Sequence, residues 1–365
     1  MRSLLDSHVV QGRQRFVCVA TEYFSHGTAD ESAWADPDTL DLVADQVKLV
    51  VVTGSGRSGT SSVAGTLKRL GLYIPQPEVE TDERNPRGYY EPLWVAEFHK
   101  WLLNPIPVRT IDSRPNAGKI AKKAVTPKVE DELRTWLRDQ LANGETQILL
   151  KDTRAYWLYD LWQRMAAEFG AQLTSLTMLR HPAQVVRSRD TAYLSDMDRH
   201  FRRQRETTNV AAWVNAAFET ERVTRGNPRA FVPYYDLIGD WRAAMTRAGA
   251  QLGLTYNDTS GHHPVDDFID AGLNRSKPDW EGLEVAPNLV DLAERSWDAM
   301  NVLVETPDDE TAMKRVDALR EEYVELYESS AAIALDETTA QVAKVRKKLK
   351  KQLAEAEAEI ARLKG

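Results

Sequence analysis

Apolar residues fall along the chain in two rhythms. Short unbroken runs occur at 50–52, 147–152 (QILLKD), 173–179 and 229–234 (RAFVPY). Runs of this kind, rich in β-branched residues, predict strands buried on both faces. Elsewhere apolar positions recur every three or four residues, which predicts amphipathic helices. These positions are Val63, Leu67 and Leu70, then the stretches 93–103, 129–141, 156–169, 196–225 and 237–252, with a further helix from Pro182 towards Tyr193. Strands separated by helices imply a parallel sheet with helices on both faces. Ligands in such sheets sit at the carboxyl ends of the strands. Arg57, Lys151, Asp152 and Arg180 lie just beyond such ends and are expected to converge.

Other stretches break the pattern. Pro75, Pro77, Asn85, Pro86 and Gly88 exclude a long helix from 72–91. Residues 109–128 are polar and basic, with Pro115 and Gly118, and predict a mobile surface loop; 264–280 predict another loop. Residues 1–46 hold one candidate strand, 16–20, and a linker at 26–41 rich in Asp, Ser, Gly and Pro, which together suit an arm packed on the main domain. Beyond Pro307 the chain is helical and strongly charged. Val342, Leu349, Ala356 and Leu363 repeat every seven residues, with Val345, Leu353 and Ile360 widening the stripe. The pattern covers about three heptads. It fits either a helix folded back on the body or one that forms a homo-oligomer.

Composition narrows the function. The 365 residues are 42% hydrophobic and 28% charged, enough for a sizeable core. A net charge of −8 argues against broad nucleic-acid binding. One cysteine, Cys18, leaves no disulfide framework or cysteine-cluster metal site. His262 and His263 lack a metal-ligand spacing. The chain shows no signal peptide and no apolar run of membrane-spanning length, so a soluble cytoplasmic protein is expected.

The stretch 49–62, LVVVTGSGRSGTSS, organises the rest. A strand ends at Thr53, a glycine-spaced loop follows (Gly54, Ser55, Gly56, Arg57, Ser58, Gly59), and Thr60, Ser61 and Ser62 open a helix. That layout predicts a phosphate cradle, because loop and first-turn amides point at one spot and the helix dipole favours an anion there. Gly54 and Gly59 have the separation of an ordinary P-loop, but Thr60 stands where its lysine belongs and the cation sits earlier, at Arg57.

GSGRSGTSS resembles the 5′-phosphosulfate loop of sulfotransferases that use 3′-phosphoadenosine-5′-phosphosulfate. A second family motif, an arginine at a strand end followed by proline and then a serine on the next helix, is matched by Arg180, Pro182 and Ser188. The two lie about 120 residues apart, and the resemblance spans roughly 48–277. It implies that Gly54 to Ser61, Arg180 and Ser188 bind this cofactor, whose spent form is 3′,5′-diphosphoadenosine, with Arg180 and Ser188 on the 3′-phosphate. It also implies that Arg275, in a segment resembling the family's late loop, closes over that phosphate. Two anionic ends need two anion sites, and the planar fork of arginine suits the second. A sulfuryl group carries less charge than a phosphoryl group, so no metal is expected.

For the base that activates the acceptor hydroxyl, Glu91 leads. Residues 90–94, YEPLW, resemble a segment of carbohydrate sulfotransferases in which a glutamate has that role. Glu91 equally suits the first turn of the helix that follows. His99 is the second candidate, although a packed histidine also fits. Lys151-Asp152-Thr153-Arg154 resembles the family's KDPR segment, which places Lys151 or Arg154 towards the sulfuryl group or acceptor; a plain Lys151–Asp152 ion pair is the alternative. The arginines at 199, 202, 203 and 205 suit an anionic acceptor or a solvated helix face. Trp94, Trp101, Trp157 and Trp162 suit sugar stacking or core.

The expected fold is therefore α/β: a P-loop-like three-layer α/β/α domain with a central parallel sheet, plus a long C-terminal helix. The expected division is an arm (1–46), a sulfotransferase domain (47–306) and a helical extension (307–365). The expected reaction is transfer of a sulfuryl group to a hydroxyl of a small molecule, carbohydrate or glycolipid, with Glu91, Arg57 and Lys151 catalytic. A P-loop kinase or nucleoside triphosphatase, and a non-catalytic nucleotide-binding scaffold, are the alternatives.

Overall fold

The computed structural model describes residues 47–364 except 84, 194–197, 271 and 273–276. The N-terminal arm with its candidate strand and Cys18, and the segment holding Arg275, lie outside the described residues.

Four parallel strands form one sheet in the order β2–β1–β3–β4: β1 (Lys48–Thr53), β2 (Gln147–Lys151), β3 (Gln172–Leu179) and β4 (Arg229–Pro233). Val50 lies opposite Leu149 on one side and Thr174 on the other. Successive side chains on a strand point to opposite faces, and β1 feeds two cores accordingly. Leu49 and Val51 enter a cluster with α2 (Leu93–Leu103), α4 (Pro127–Leu141) and α5 (Tyr159–Glu168). Val50 and Val52 enter a cluster with α1 (Thr60–Arg69) and α9 (Trp241–Leu252). The result is the expected three-layer α/β/α arrangement.

Between these elements lie α3 (Ala117–Lys122), a 3-10 turn (Ala155–Leu158), α6 (Pro182–Tyr193), α7 (Arg199–Thr224), α8 (Tyr234–Gly239) and α10 (Pro264–Phe268). Three expectations change here. The basic stretch 109–128 is no mobile loop. It contains α3, buries Ile111, Ala117 and Ala121, and is held by the Asn215 amide, which donates to the carbonyls of Asp112 and Arg114. The helix expected over 237–252 is divided at Asp240, whose side chain caps α9 by accepting from the Ala243 N–H. The loop after residue 263 begins with α10, started by a His263–Asp266 capping box.

The C-terminal region separates into unlike parts. α11 (Pro287–Glu305) and α12 (Glu310–Ile333) pack on α7 in a third cluster that includes Val316, Leu319 and Tyr323. The Tyr323 hydroxyl donates to the Ser113 carbonyl, and Arg225 pairs with Asp317. α13 (Leu335–Lys364) instead projects from α12, with every described side chain along it exposed. Among the described residues, no helix is long and apolar enough to cross a membrane.

Candidate active site

The strand order makes β1 and β3 neighbours whose following helices lead to opposite sides. That is a topological switch point, where a crevice opens beyond the strand ends. Thr53 and Thr177 share a hydrogen bond of 2.8 Å at its floor. The loop after Thr53 then turns tightly. Gly54 has φ +125°, and a Cβ there would stand 2.7 Å from the Met178 carbonyl oxygen. The Ser58 N–H and hydroxyl both donate to the Ser55 carbonyl, at 3.1 and 2.6 Å. Gly59 has φ +99°, and a Cβ would stand 2.3 Å from the Tyr234 ring. Arg57, at φ +76°, adopts the left-handed conformation despite its side chain. Such strain collects where a ligand is held.

Among the described residues, no side chain caps α1 and no acid occupies its first turn. Its leading amides, from Thr60 on, remain available to an anion. The Ser55 hydroxyl oxygen is buried with no hydrogen-bond partner among the described residues. An unpaired polar atom inside a glycine cradle fits a bound phosphate or sulfate oxygen.

Arg180 emerges from β3 beside this loop. It is 7% exposed, donates from Nη1 to the Arg57 carbonyl at 3.0 Å, and lies 4.6 Å above the Tyr234 ring. Arg57 Nε in turn donates to Ser188 Oγ at 3.0 Å. Arg57, Arg180 and Ser188 thus form one connected set. Burial lowers the pKa of Arg180; Tyr234 opposes the shift and the charge of Arg57 adds to it. Two guanidiniums gathered this closely favour a multiply charged anion between them. Arg57, expected to be catalytic within the glycine loop, is also joined to Arg180 and Ser188.

Glu91 approaches from another segment. Tyr90, at φ +56°, is fixed by its hydroxyl on the Arg87 carbonyl (2.6 Å) and by an edge contact to Phe268. The Glu91 carbonyl accepts from the Val79 N–H at 2.8 Å. Pro92 occupies the N-cap of α2, and the Glu91 carboxylate does not cap that helix. It pairs instead with Lys151 Nζ at 2.5 Å. Burial raises the pKa of Glu91 and the Lys151 charge opposes the rise. Lys151 Nζ also donates to Ser61 Oγ at 3.3 Å, and Asn85 donates to the same hydroxyl at 3.2 Å. Ser61 therefore joins the first turn of α1 to the Glu91–Lys151 pair.

Lys151 does not pair with Asp152, because adjacent strand residues face opposite ways. Asp152 is held by Arg154, whose backbone N–H, Nε and Nη2 bind its oxygens at 2.6, 2.9 and 2.6 Å. Burial by itself would raise the pKa of Asp152, but His99 and Arg154 hold it well below the usual carboxylate range. His99 is fully buried; its Nε2 accepts from the Trp162 indole at 2.9 Å, and its Nδ1 stands 3.4 Å from Asp152. An imidazole enclosed in this way is packing and support, not a base for an outside hydroxyl. Trp157 and Trp162 are core; Trp94 stacks on Phe98 and Trp136, and Trp101 is exposed. Arg199 and Arg202 pair with Glu284 and Glu206.

One feature of the site emerges only in the fold. A cavity of about 320 Å³ is lined by Lys100, Arg109, Arg154 and Arg189 and, among the described residues, by no acid. It adjoins both halves of the site. Arg189 Nη1 lies 3.5 Å from the Gly56 carbonyl, and the Arg154 charge acts on Glu91. Burial lowers the pKa of Arg109, and the charge of Arg205 lowers it further. These cations come from four separate segments, and of them only Arg154 belongs to a motif.

No protein-family model matches the chain, and no curated protein sequence matches it. Among solved structures it is similar to the sulfotransferase domain from the Synechococcus PCC 7002 olefin synthase. The identity is 18% and the TM-score 0.37, over 76% of this chain and 94% of that one. It is also similar to the sulfotransferase domain from the curacin biosynthetic pathway, at 13% identity and TM-score 0.35, over 65% and 81%. At these values the likeness carries no weight on the reaction.

Proposed function

We propose that this chain is a sulfotransferase that takes its sulfuryl group from 3′-phosphoadenosine-5′-phosphosulfate and passes it to an acceptor hydroxyl. One observation supports the reading: the uncapped glycine loop and a connected pair of arginines lie at neighbouring strand ends, and Ser61 links the loop's helix to a buried carboxylate through Lys151. In this reading the first anion site is the glycine loop with the start of α1; the second is the connected set Arg57, Arg180 and Ser188. A ligand with a 5′-phosphosulfate and a 3′-phosphate has matching ends.

When bound, the cofactor supplies an activated sulfuryl group on its 5′-phosphate. The amides of Gly54 to Ser61 hold that end, and Arg57, Arg180 and Ser188 hold the 3′-phosphate. Glu91 accepts the proton of the acceptor hydroxyl as its oxygen bonds to sulfur, and the sulfur–oxygen bond to the 5′-phosphate breaks. Burial raises the pKa of Glu91, which makes its carboxylate a stronger base than an exposed one. Lys151 keeps Glu91 oriented and, because it also reaches Ser61 at the first turn of α1, would stabilise charge on a phosphate bound there.

The acceptor enters through the cationic cavity. A carbohydrate or glycolipid hydroxyl fits the Glu91 segment. The charge of Arg109 and Arg189 favours an acceptor that carries a carboxylate or phosphate near that hydroxyl. The kinase reading has less support. Thr60 replaces the P-loop lysine, and the carboxylate that would hold Mg²⁺ in that reading, Asp152, has its oxygens engaged by Arg154.

Calorimetry and label transfer test the proposal together. The protein should bind 3′,5′-diphosphoadenosine at least tenfold more tightly than ATP–Mg²⁺ and move ³⁵S from labelled cofactor to an acceptor in a glycan and lipid extract. A preference for ATP–Mg²⁺ would establish the kinase reading instead. Tight diphosphoadenosine binding without label transfer would establish a nucleotide-binding scaffold.

A further inference from the structure

The last helix carries an apolar stripe that no described residue covers. Val342, Val345, Leu349, Leu353, Ile360 and Leu363 are 45–71% exposed, and with Ala356 they recur in steps of three and four residues. Its charges are segregated. Lys344, Arg346, Lys347, Lys348, Lys350 and Lys351 form a basic block, and Glu355, Glu357 and Glu359 an acidic one.

We propose that α13 pairs antiparallel with α13 of a second copy of this chain, about a two-fold axis between Gln352 and Leu353. Reading the helix outwards from that point matches its charged flanks and its apolar positions except Leu353, which falls beside Gln352. Val342 falls opposite Leu363, Val345 opposite Ile360, and Leu349 opposite Ala356. Along the flanks, with an offset of two residues along the axis, Glu357 faces Arg346 and Lys350, while Lys348 faces Glu355 and Glu359. Every acid of the acidic block meets a cation, and the three remaining cations of the basic block, Lys344, Lys347 and Lys351, lie on the outer side of the helix.

A parallel, in-register pair would instead set the flanking cations Arg346, Lys348 and Lys350 of one copy against those of the other. Flanking charges of this kind decide orientation in paired helices. An isologous two-fold contact also closes on itself, so assembly stops at two copies. The intrahelical pairs Lys351–Glu355 and Arg362–Glu359 are exposed and compete weakly. The paired segment from 342 to 363 is about 33 Å long.

Light scattering of the full chain should give twice the 41.2 kDa monomer mass. Leu349→Asp with Leu353→Asp, on a helix that supports no core, should return the monomer without lowering the unfolding temperature. Orientation is read in a Cys18→Ser background. Under mild oxidation, a mixture of Val342→Cys and Leu363→Cys chains should cross-link to each other, and Val342→Cys alone should not. A wild-type mass of 41.2 kDa at 100 μM would overturn the proposal. So would self-cross-linking of Val342→Cys, which reports a parallel pair.

Discussion

Replacing Arg180 by alanine separates a phosphate-binding arginine from one that only props the glycine loop. Arg180 is nearly buried, and its contacts include the Arg57 carbonyl at 3.0 Å and the face of Tyr234 at 4.6 Å. If it also binds the 3′-phosphate, its loss removes charge-assisted hydrogen bonds worth about 1.5–3 kcal/mol. That corresponds to roughly 10- to 150-fold weaker binding of 3′,5′-diphosphoadenosine. Adenosine 5′-monophosphate lacks the 3′-phosphate, so its affinity should change no more than about threefold, the margin left for small movements of the Arg57 loop. Titration calorimetry with both nucleotides gives the ratio directly. Arg180→Lys should fall between the two, because it keeps a charge but loses the fork. Equal losses for both nucleotides would show that Arg180 only supports the loop. No loss for either would remove it from the site.

Two further changes follow from the geometry. The Lys151 cation favours the ionised form of Glu91, so Lys151→Met should raise the Glu91 pKa further. The active base is the carboxylate, so the acid limb of the pH profile of kcat/KM should move to higher pH; an unmoved limb would separate Lys151 from Glu91. Gly59→Ala sets a methyl 2.3 Å from Tyr234 at φ +99°, whereas Gly226→Ala, at φ +78°, meets nothing within 4 Å. Both carry the left-handed penalty of about 1 kcal/mol. Gly59→Ala should therefore lower the unfolding temperature clearly more than Gly226→Ala and also weaken diphosphoadenosine binding; equal shifts would contradict the close packing of the loop on Tyr234.

The sheet was legible because its strands are buried on both faces and so read as apolar runs. Residues 50–52 and 173–179 fall within the observed β1 and β3. The helix at 93–103 appears with the expected bounds, its start marked by Pro92. Misreadings arose where polarity did not mean exposure. Residues 109–128 look like surface, but Asp112 is buried because Arg114 and the Arg109 N–H satisfy its carboxylate. Apolar spacing alone runs through Asp240, whose capping role divides the helix. α12 and α13 are similarly charged, and only contacts from α7 and α11 mark the first as part of the body.

The site was legible residue by residue more than in its pairings. Sequence adjacency suggested Lys151 with Asp152, but strand alternation gives Lys151 to Glu91 and Asp152 to Arg154. Arg57 was expected in the loop, but its link to the second motif was not legible: its backbone turns at φ +76°, and the side chain reaches Ser188, 131 residues away in sequence. Tyr234, which lies under both Gly59 and Arg180, belongs to no motif and follows directly from the end of β4.

The central claim is that Glu91 activates a hydroxyl for sulfuryl transfer, and Glu91→Gln tests it most directly. The glutamine keeps an oxygen to accept from Lys151 and preserves the shape of the site, but it cannot take a proton. With the acceptor identified for the wild-type protein, ³⁵S transfer is measured under single-turnover conditions beside calorimetry of 3′,5′-diphosphoadenosine. A lost general base should slow transfer by about 10²- to 10⁴-fold, while nucleotide affinity stays within about twofold, because Glu91 lies outside both anion sites. A variant that transfers label at more than about one-tenth of the wild-type rate would contradict the assignment.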